Sequence, residues 1–394
     1  MHVLTPPLTL GVEEEYQIID PKTRNLYAYI SEFLSQDERK QDEERLYLKP
    51  EFMQSQVEVG SRICRNVKEV RQEIIRLRRG VCKMAEENGL QIAAASTHPF
   101  ARWDEQSRTE GVRYKELMDD MQGVARRLLI FGMHVHVGFI PEGATDQQRE
   151  VYRNMMIEVM NQARYFIPHI LALSTSSPFW HGRNTGLKSY RSIVFESLPR
   201  TGIPHSFHSW SEYKSYEDML MRVGSFGKDD PVAKIWWDIR PHPRFDTLEF
   251  RIADLCTRVE EAVCVAAIFQ AVCAKLVKLR QQNLAWRQYR HMHISENKWR
   301  AVRYGIKGEL IDFGIVESVP FHFLMEELIE FLDDVVDELG SRKEVEYIRT
   351  ILKNGTSADR QIEVYKAHGG DENNQEALKA VVDNLVKETK EGVL

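Results

Sequence analysis

The sequence predicts an α+β fold: one antiparallel sheet, packed with helices, whose polar face carries the chemistry. Three observations predict it. Short runs at 8–19, 131–139 and 247–252 have the alternation or β-branched content of strands. Longer stretches at 67–84, 146–173 and 259–281 read as helices, the first with apolar residues every three or four positions. Strands and helices mix without regular βαβα alternation, and no glycine-rich phosphate loop appears. No linker divides the chain, so residues 1–394 read as one catalytic domain.

Each element has its own signal. The run LTLGVEEEYQII (8–19) is a strand with three glutamates at its centre. Side chains alternate, so Glu13 and Glu15 share one face and Glu14 takes the other. Two adjacent same-face carboxylates repel, and burying them unpaired costs roughly several kcal/mol per charge. A divalent cation is the simplest remedy; a solvated edge strand is the competing reading. Residues 35–45 (SQDERKQDEER) read as an exposed loop. In the strand at 50–59, Glu58 lies between Val57 and Val59 and Glu51 seven residues before it. The helix at 67–84 closes at Asn88-Gly89, and a buried strand follows at 90–96. A helix at 114–130 runs into the strand at 131–139, where His134 and His136 project the same way between Gly132 and Gly138.

A polar, glycine-bearing loop at 184–191 ends in Arg191, with Arg183 and Arg200 nearby. Such loops close over charged substrates or are simply solvated. The pair at 235–240 and 247–252 carries Arg240, then Glu249 and Arg251 on one strand face, a carboxylate beside a planar cation. A cross-strand ion pair would look the same. From about 297 the chain is mostly helical, and 387–394 are expected to fray.

Composition narrows the class. A hydrophobic content of 43% and a charged content of 28% are those of a globular protein. The net charge of −6 argues against general nucleic-acid binding. The five cysteines are odd in number and form no CxxC pair, which suits buried thiols in a reducing compartment. The N-terminus shows no signal-peptide pattern, and the apolar run at 262–274 is too short to cross a bilayer. A cytoplasmic enzyme with small-molecule substrates is expected. Its size and helical tail suggest a homodimer.

Strand-borne acids, two histidines and several arginines together describe a clamp for a polyphosphate, with Mg²⁺ or Mn²⁺ favoured by hard carboxylate oxygens. A zinc-dependent hydrolase using His134 and His136 is the alternative.

The motifs GVEEEYQIIDP, PEFMQSQVEVGSR, FGMHVHVGF, STSSPFWHGRNTG, SYRSIVFESLPRTGIP, WWDIRPHPRFDTLEFRIADLCTRVEEAV and ENKWRAVRYG, in this order from about 8 to 313, resemble the carboxylate-amine ligases of the glutamate–cysteine ligase type 2 family. The tail after about 315 carries little of the resemblance. The resemblance implies a glutamine synthetase-like fold, a curved antiparallel sheet forming an active-site funnel. It implies ATP as cosubstrate and an acyl phosphate from glutamate's γ-carboxylate that cysteine or another amine then attacks. By the same token Glu13, Glu15, Glu58, Glu249 and His134 match metal positions. His134 and His136 match the strand near nucleotide phosphate and metal, Arg191, Arg240 and Arg251 match arginines that face substrate carboxylate or phosphate, and His134, His136, Arg240, Arg251 and Arg303 are the candidates to bind the nucleotide. Glu51 is the candidate to take the amine's proton. Thr97 and His98 could line the acid pocket; Lys298, Arg300 and Arg303 lie on the last matching segment, where Arg300 and Arg303 share a helix face that either reaches nucleotide or is simply solvated.

Overall fold

The computed structural model describes residues 5–225, 234–242, 244–370 and 374–393. Residues 1–4 of the N-terminal reading, Pro243 of the motif at 237–250 and Leu394 of the tail lie outside the described residues. Seven strands form the main sheet: β1 (Leu10–Ile19), β2 (Lys49–Pro50), β3 (Gln56–Gly60), β4 (Gln91–Ala93), β5 (Met133–Gly138), β6 (Ile239–Pro241) and β7 (Thr247–Phe250). Their order is β6-β7-β5-β1-β3-β2, all antiparallel. β4 pairs with the last residues of β1, beyond the stretch that β5 occupies.

Fourteen helices are described: α1 (Ile30–Glu38), α2 (Val67–Glu87), α3 (Val112–Met121), α4 (Asp146–Ala163), α5 (Ile167–Ser174), α6 (Tyr190–Glu196), α7 (Trp210–Arg222), α8 (Val259–Gln281), α9 (His291–Tyr304), α10 (Phe321–Leu339), α11 (Arg342–Glu346), α12 (Ile348–Asn354), α13 (Ser357–Ala367) and α14 (Gln375–Lys390). α2 and α8 pack together and cover one face of β1, where Leu10, Val12, Tyr16 and Ile18 are buried. α8 is long and apolar enough to cross a membrane, but it is packed into this core and buried along most of its length.

Glu14 also points into that core. Arg78 of α2 meets its carboxylate through Nε at 3.0 Å and through Nη2, while Nη1 and Nη2 bond the carbonyls of Thr257 and Cys256 at 2.6 and 2.8 Å. The Tyr16 hydroxyl donates to the same carboxylate. Each buried charge is thus met, as burial requires. The opposite face of the sheet stays open.

Several sequence expectations change at named residues. The charged run at 35–45 is helical to Glu38, and buried Asp37 accepts the amides of Leu46 and Leu48 at 2.9 and 3.2 Å. The helix expected over 114–130 stops at Met121, because Gln122 takes a left-handed φ of 49°. The helix over 146–173 breaks into α4 and α5 around one 3₁₀ turn; Pro168 has no amide for the carbonyl of residue 164 and its ring crowds that carbonyl. The strand at 235–240 divides at Asp238, with Trp236–Trp237 pairing instead with Thr201–Gly202. The tail does not fray where expected: α14 runs to Lys390, Thr389 is fully buried and its hydroxyl accepts the Ala94 amide at 2.9 Å.

Candidate active site

Strand register assembles the site. Glu15 lies opposite Glu58, Glu13 opposite His134, and Glu249 opposite both His136 and Arg240. Cross-strand partners have Cβ atoms about 5 Å apart, so acids scattered from 13 to 249 share one floor. They line a cavity of about 740 Å³ with Glu51, Arg191, Arg240 and Arg251. Its upper wall is apolar and aromatic, with Leu117, Leu128, Ile130, Phe195, Trp236 and Phe245.

The carboxylates form two groups. Ligand atoms of Glu13, His136 and Glu249 lie within 4.8 Å of one another, as do those of Glu15, Glu51 and Glu58. In the first group the Nδ1 of His136 stands 3.1 Å from the Thr247 hydroxyl. Its Nε2 is buried with no hydrogen-bond partner among the described residues, 3.8 Å from Glu13. With the Nδ1 proton donated to Thr247, Nε2 presents a lone pair, the usual state of a ligating histidine. His134 was expected as the ligand, but its Nδ1 bonds the Glu13 Oε2 at 3.2 Å. Burial and Arg251 lower His134 to about 4, so it stays neutral.

The charge balance differs between the groups. Burial would raise Glu249, but Arg240, Arg251 and the two histidines overcome it and hold the carboxyl well below its usual value. Arg240 Nε reaches Glu249 at 2.7 Å, and Arg251 bonds its other oxygen. Glu13 is likewise held low, by the histidines against burial. In the second group burial and the neighbouring Glu58 raise Glu15 to about 7, although Arg191, Arg251 and the Gly132 amide oppose the rise. Burial and the acids Glu51 and Glu13 push Glu58 well above its usual value. Lys49 bridges the groups, its Nζ at 2.9 Å from Glu13 and 2.7 Å from Glu58. Clustered, buried carboxyls whose protons are held this firmly are the donor type that suits a hard cation.

The rim arginine Arg191 sits in the first turn of α6 and approaches closely enough that a Cβ on Gly132 would meet its Nη2 at 2.7 Å. Five expected residues lie elsewhere. Arg303 bonds the Gly186 carbonyl and does not line the cavity. Arg300 pairs with Glu296 and Ser318. Thr97 is buried and its hydroxyl ties this segment to the Phe179 carbonyl, while His98 Nδ1 accepts the amides of Phe100 and Ala101 and so closes a turn. Lys298 is buried in an ion pair with Asp238 and Glu196, each at 2.6 Å. The loop at 184–191 is tied to the C-terminal helices through Lys188 and Asp359 at 2.7 Å.

Sequence reasoning missed Lys49, Gln56 and Thr247. Gln56 was legible from parity, since it shares a strand face with Glu58, and it donates to Glu15 at 3.1 Å. Lys49 and Thr247 become visible only through the pairing of their strands.

Two solved structures share this architecture. A bifunctional glutathione synthetase from Pasteurella multocida superposes with a TM-score of 0.64 at 13% identity, over 98% of this chain and 53% of that one. A glutamate–cysteine ligase from Francisella tularensis in complex with AMP gives 0.61 at 13% identity, over 98% of this chain and 93% of that one. The sheet and these neighbours define the fold class, one antiparallel sheet packed with helices that this chain shares with both of them. The particular branch follows from sequence. The family model "Glutamate-cysteine ligase family 2 (GCS2)" matches residues 9–384, reaching far into the tail that the motifs left uncovered. Proteins named "Putative glutamate--cysteine ligase 2" from Herpetosiphon aurantiacus and Solibacter usitatus are 51% identical over 387 residues and 46% over 393. The alignments cover 98% and 100% of this chain, and 94% and 96% of theirs. The chain belongs to glutamate–cysteine ligase family 2, and it is an enzyme of the glutamate–cysteine ligase type.

Proposed function

We propose that the enzyme spends ATP to join an amino-acid carboxylate, the γ-carboxylate of glutamate, to the amine of cysteine or another amino acid. The observation that carries this reading is the pair of ligand clusters on the floor of one cavity, with Arg191, Arg240 and Arg251 beside them. The donors suit Mg²⁺ or Mn²⁺: all are hard oxygens save His136, and burial with like-charged neighbours raises Glu15 and Glu58, which a bound cation would relieve. Glu13, His136 and Glu249 would hold one ion, and Glu15, Glu51 and Glu58 another. When bound, such ions offset the charge on phosphate oxygens.

The acid's carboxylate oxygen attacks the γ-phosphorus of ATP; the bond to the β-phosphate oxygen breaks and ADP leaves. Arg191 and Arg251 orient the anionic groups, with their fixed planar forks. The amine nitrogen then attacks the acyl carbon, the bond to the phosphate oxygen breaks, and phosphate departs. Glu51 offers one oxygen to its cluster, and the second takes the proton that the amine sheds. The helical tail belongs to the same catalytic unit in this reading, supported by the packing of α14 on β4. A cytoplasmic location, where ATP is abundant, fits the reaction.

An ADP-release screen of amino acids against amines with Mg²⁺ and ATP tests the proposal. The expected result is release that requires both an acid and an amine and stops in EDTA. Protein that binds no ATP in Mg²⁺, yet hydrolyses a substrate until a zinc chelator stops it, would sink the ligase reading.

A further inference from the structure

We propose that Asp254 is a positioning residue that sets Arg191 in the cavity; the inference rests on the ligase reading and extends it to a residue outside the cavity wall. β7 ends at Phe250, and the chain continues in line with the sheet, where Asp254 bridges to Gly132. Asp254 is 0% exposed. Its Oδ2 accepts the Ser176 amide at 2.9 Å and the Ser177 hydroxyl at 2.7 Å, and its Oδ1 accepts the Ser189 hydroxyl at 2.8 Å. Two of these donors lead directly to α6. The Ser177 Oγ accepts the backbone amide of Arg191 at 3.1 Å, and Ser189 caps the helix through the Ser192 amide.

The far end of Arg191 returns to the same stretch. Its Nη1 donates to the Ile252 carbonyl at 3.3 Å and its Nη2 to the Arg251 carbonyl at 3.0 Å. Backbone and head group are therefore both fastened to residues 251–254. Nε is buried and has no hydrogen-bond partner among the described residues. Among the described residues this desolvated guanidinium forms no ion pair with a carboxylate; the charges of Asp254 and Glu15 are the largest that oppose its burial. A buried, hydrogen-bonded acid whose bonds converge on one helix start fixes that start. A displacement of about 1 Å at a catalytic group costs up to about 100-fold in rate.

Asp254→Asn and Ser177→Ala test this, the second cutting only the link to the Arg191 amide should the first fail to fold. ADP release is timed with the substrate pair found in the screen, in the wild-type and Arg191→Lys backgrounds. Each change is expected to lower kcat roughly 10-fold or more in the first background and less than about twofold in the second. On ¹⁵N-arginine-labelled protein, the Nε–H signal of Arg191, assigned by its loss in Arg191→Lys, should shift or broaden in both variants. An equal loss of kcat in both backgrounds, or an unmoved Arg191 signal, would overturn the role of Asp254 alone. Unchanged ADP release in Arg191→Lys would overturn the role of Arg191 and this inference with it.

Discussion

Glu15→Gln separates the charge of the second carboxylate group from its shape. Burial and Glu58 raise the Glu15 carboxyl from 4.5 to about 7. At about 1.4 kcal/mol per pH unit, ionising it in the metal-free fold costs at most about 3 kcal/mol more than in the unfolded chain. A carboxyl raised on folding destabilises the native state as pH climbs. The penalty is absent below 4.5, grows toward 7 and is complete above. Glutamine's one oxygen can stand where Oε2 accepts both the Gly132 amide at 2.6 Å and the Gln56 side-chain amide at 3.1 Å, but a neutral amide oxygen accepts less strongly than a carboxylate, at a cost of about 1 kcal/mol. In EDTA at pH 8 the variant should therefore be about 2 kcal/mol more stable than wild type, with the gain fading toward pH 5. Mg²⁺ reverses the order. Wild type gains about 2.7 kcal/mol at a hundredfold excess over Kd, whereas the variant gains little and releases no ADP. Urea unfolding at the two pH values, with and without Mg²⁺, measures all of this. A gain that does not change with pH, or a Mg²⁺ response equal to wild type, would refute the reasoning.

Other perturbations probe the rim, the core and one discarded residue. Arg251→Lys replaces a fork that grips Glu249 and reaches His134 by a point charge; ADP release should fall roughly 10- to 100-fold with little change in stability, and a loss below twofold would count against a substrate role. Arg78→Met strands the Glu14 carboxylate in the core and frees two carbonyls, so the denaturation midpoint should report a loss of about 3–5 kcal/mol; a loss under about 1 kcal/mol would show that Glu14 finds other partners. His98 is lowered to about 4 by burial, so its contribution to stability is present above 6.5 and lost as pH falls through about 4. His98→Asn keeps an acceptor for the Phe100 and Ala101 amides, and should flatten that acid dependence while leaving KM unchanged. A raised KM would return His98 to the substrate pocket.

Much of the floor was legible because strand parity is a local property. The alternation through 13–15 separates Glu13 and Glu15 from Glu14, and Glu14 is indeed the one that enters the core against Arg78. Parity likewise aligned His134 with His136 and Glu249 with Arg251. It did not say which of each pair meets which acid, because that depends on how far one strand slides along another. The register Glu249 opposite His136 assigns His136, with Thr247 behind it, to the first cluster. Arg303 and His98 were misplaced for a related reason. Basic residues beside matching motifs look alike in sequence, and only packing shows a guanidinium turned to the Gly186 carbonyl or an imidazole closing a turn.

By itself the sequence determined the α+β class, the strands that carry acids and the family. Those rest on short-range periodicity, residue chemistry and ordered motifs, all written along the chain. The tertiary structure alone decided that the acids divide into two clusters bridged by Lys49, and that Asp254 fastens Arg191 through Ser177. Those are contacts between residues tens to hundreds of positions apart. Their energies depend on register and burial, which exist only once the sheet has closed and excluded water.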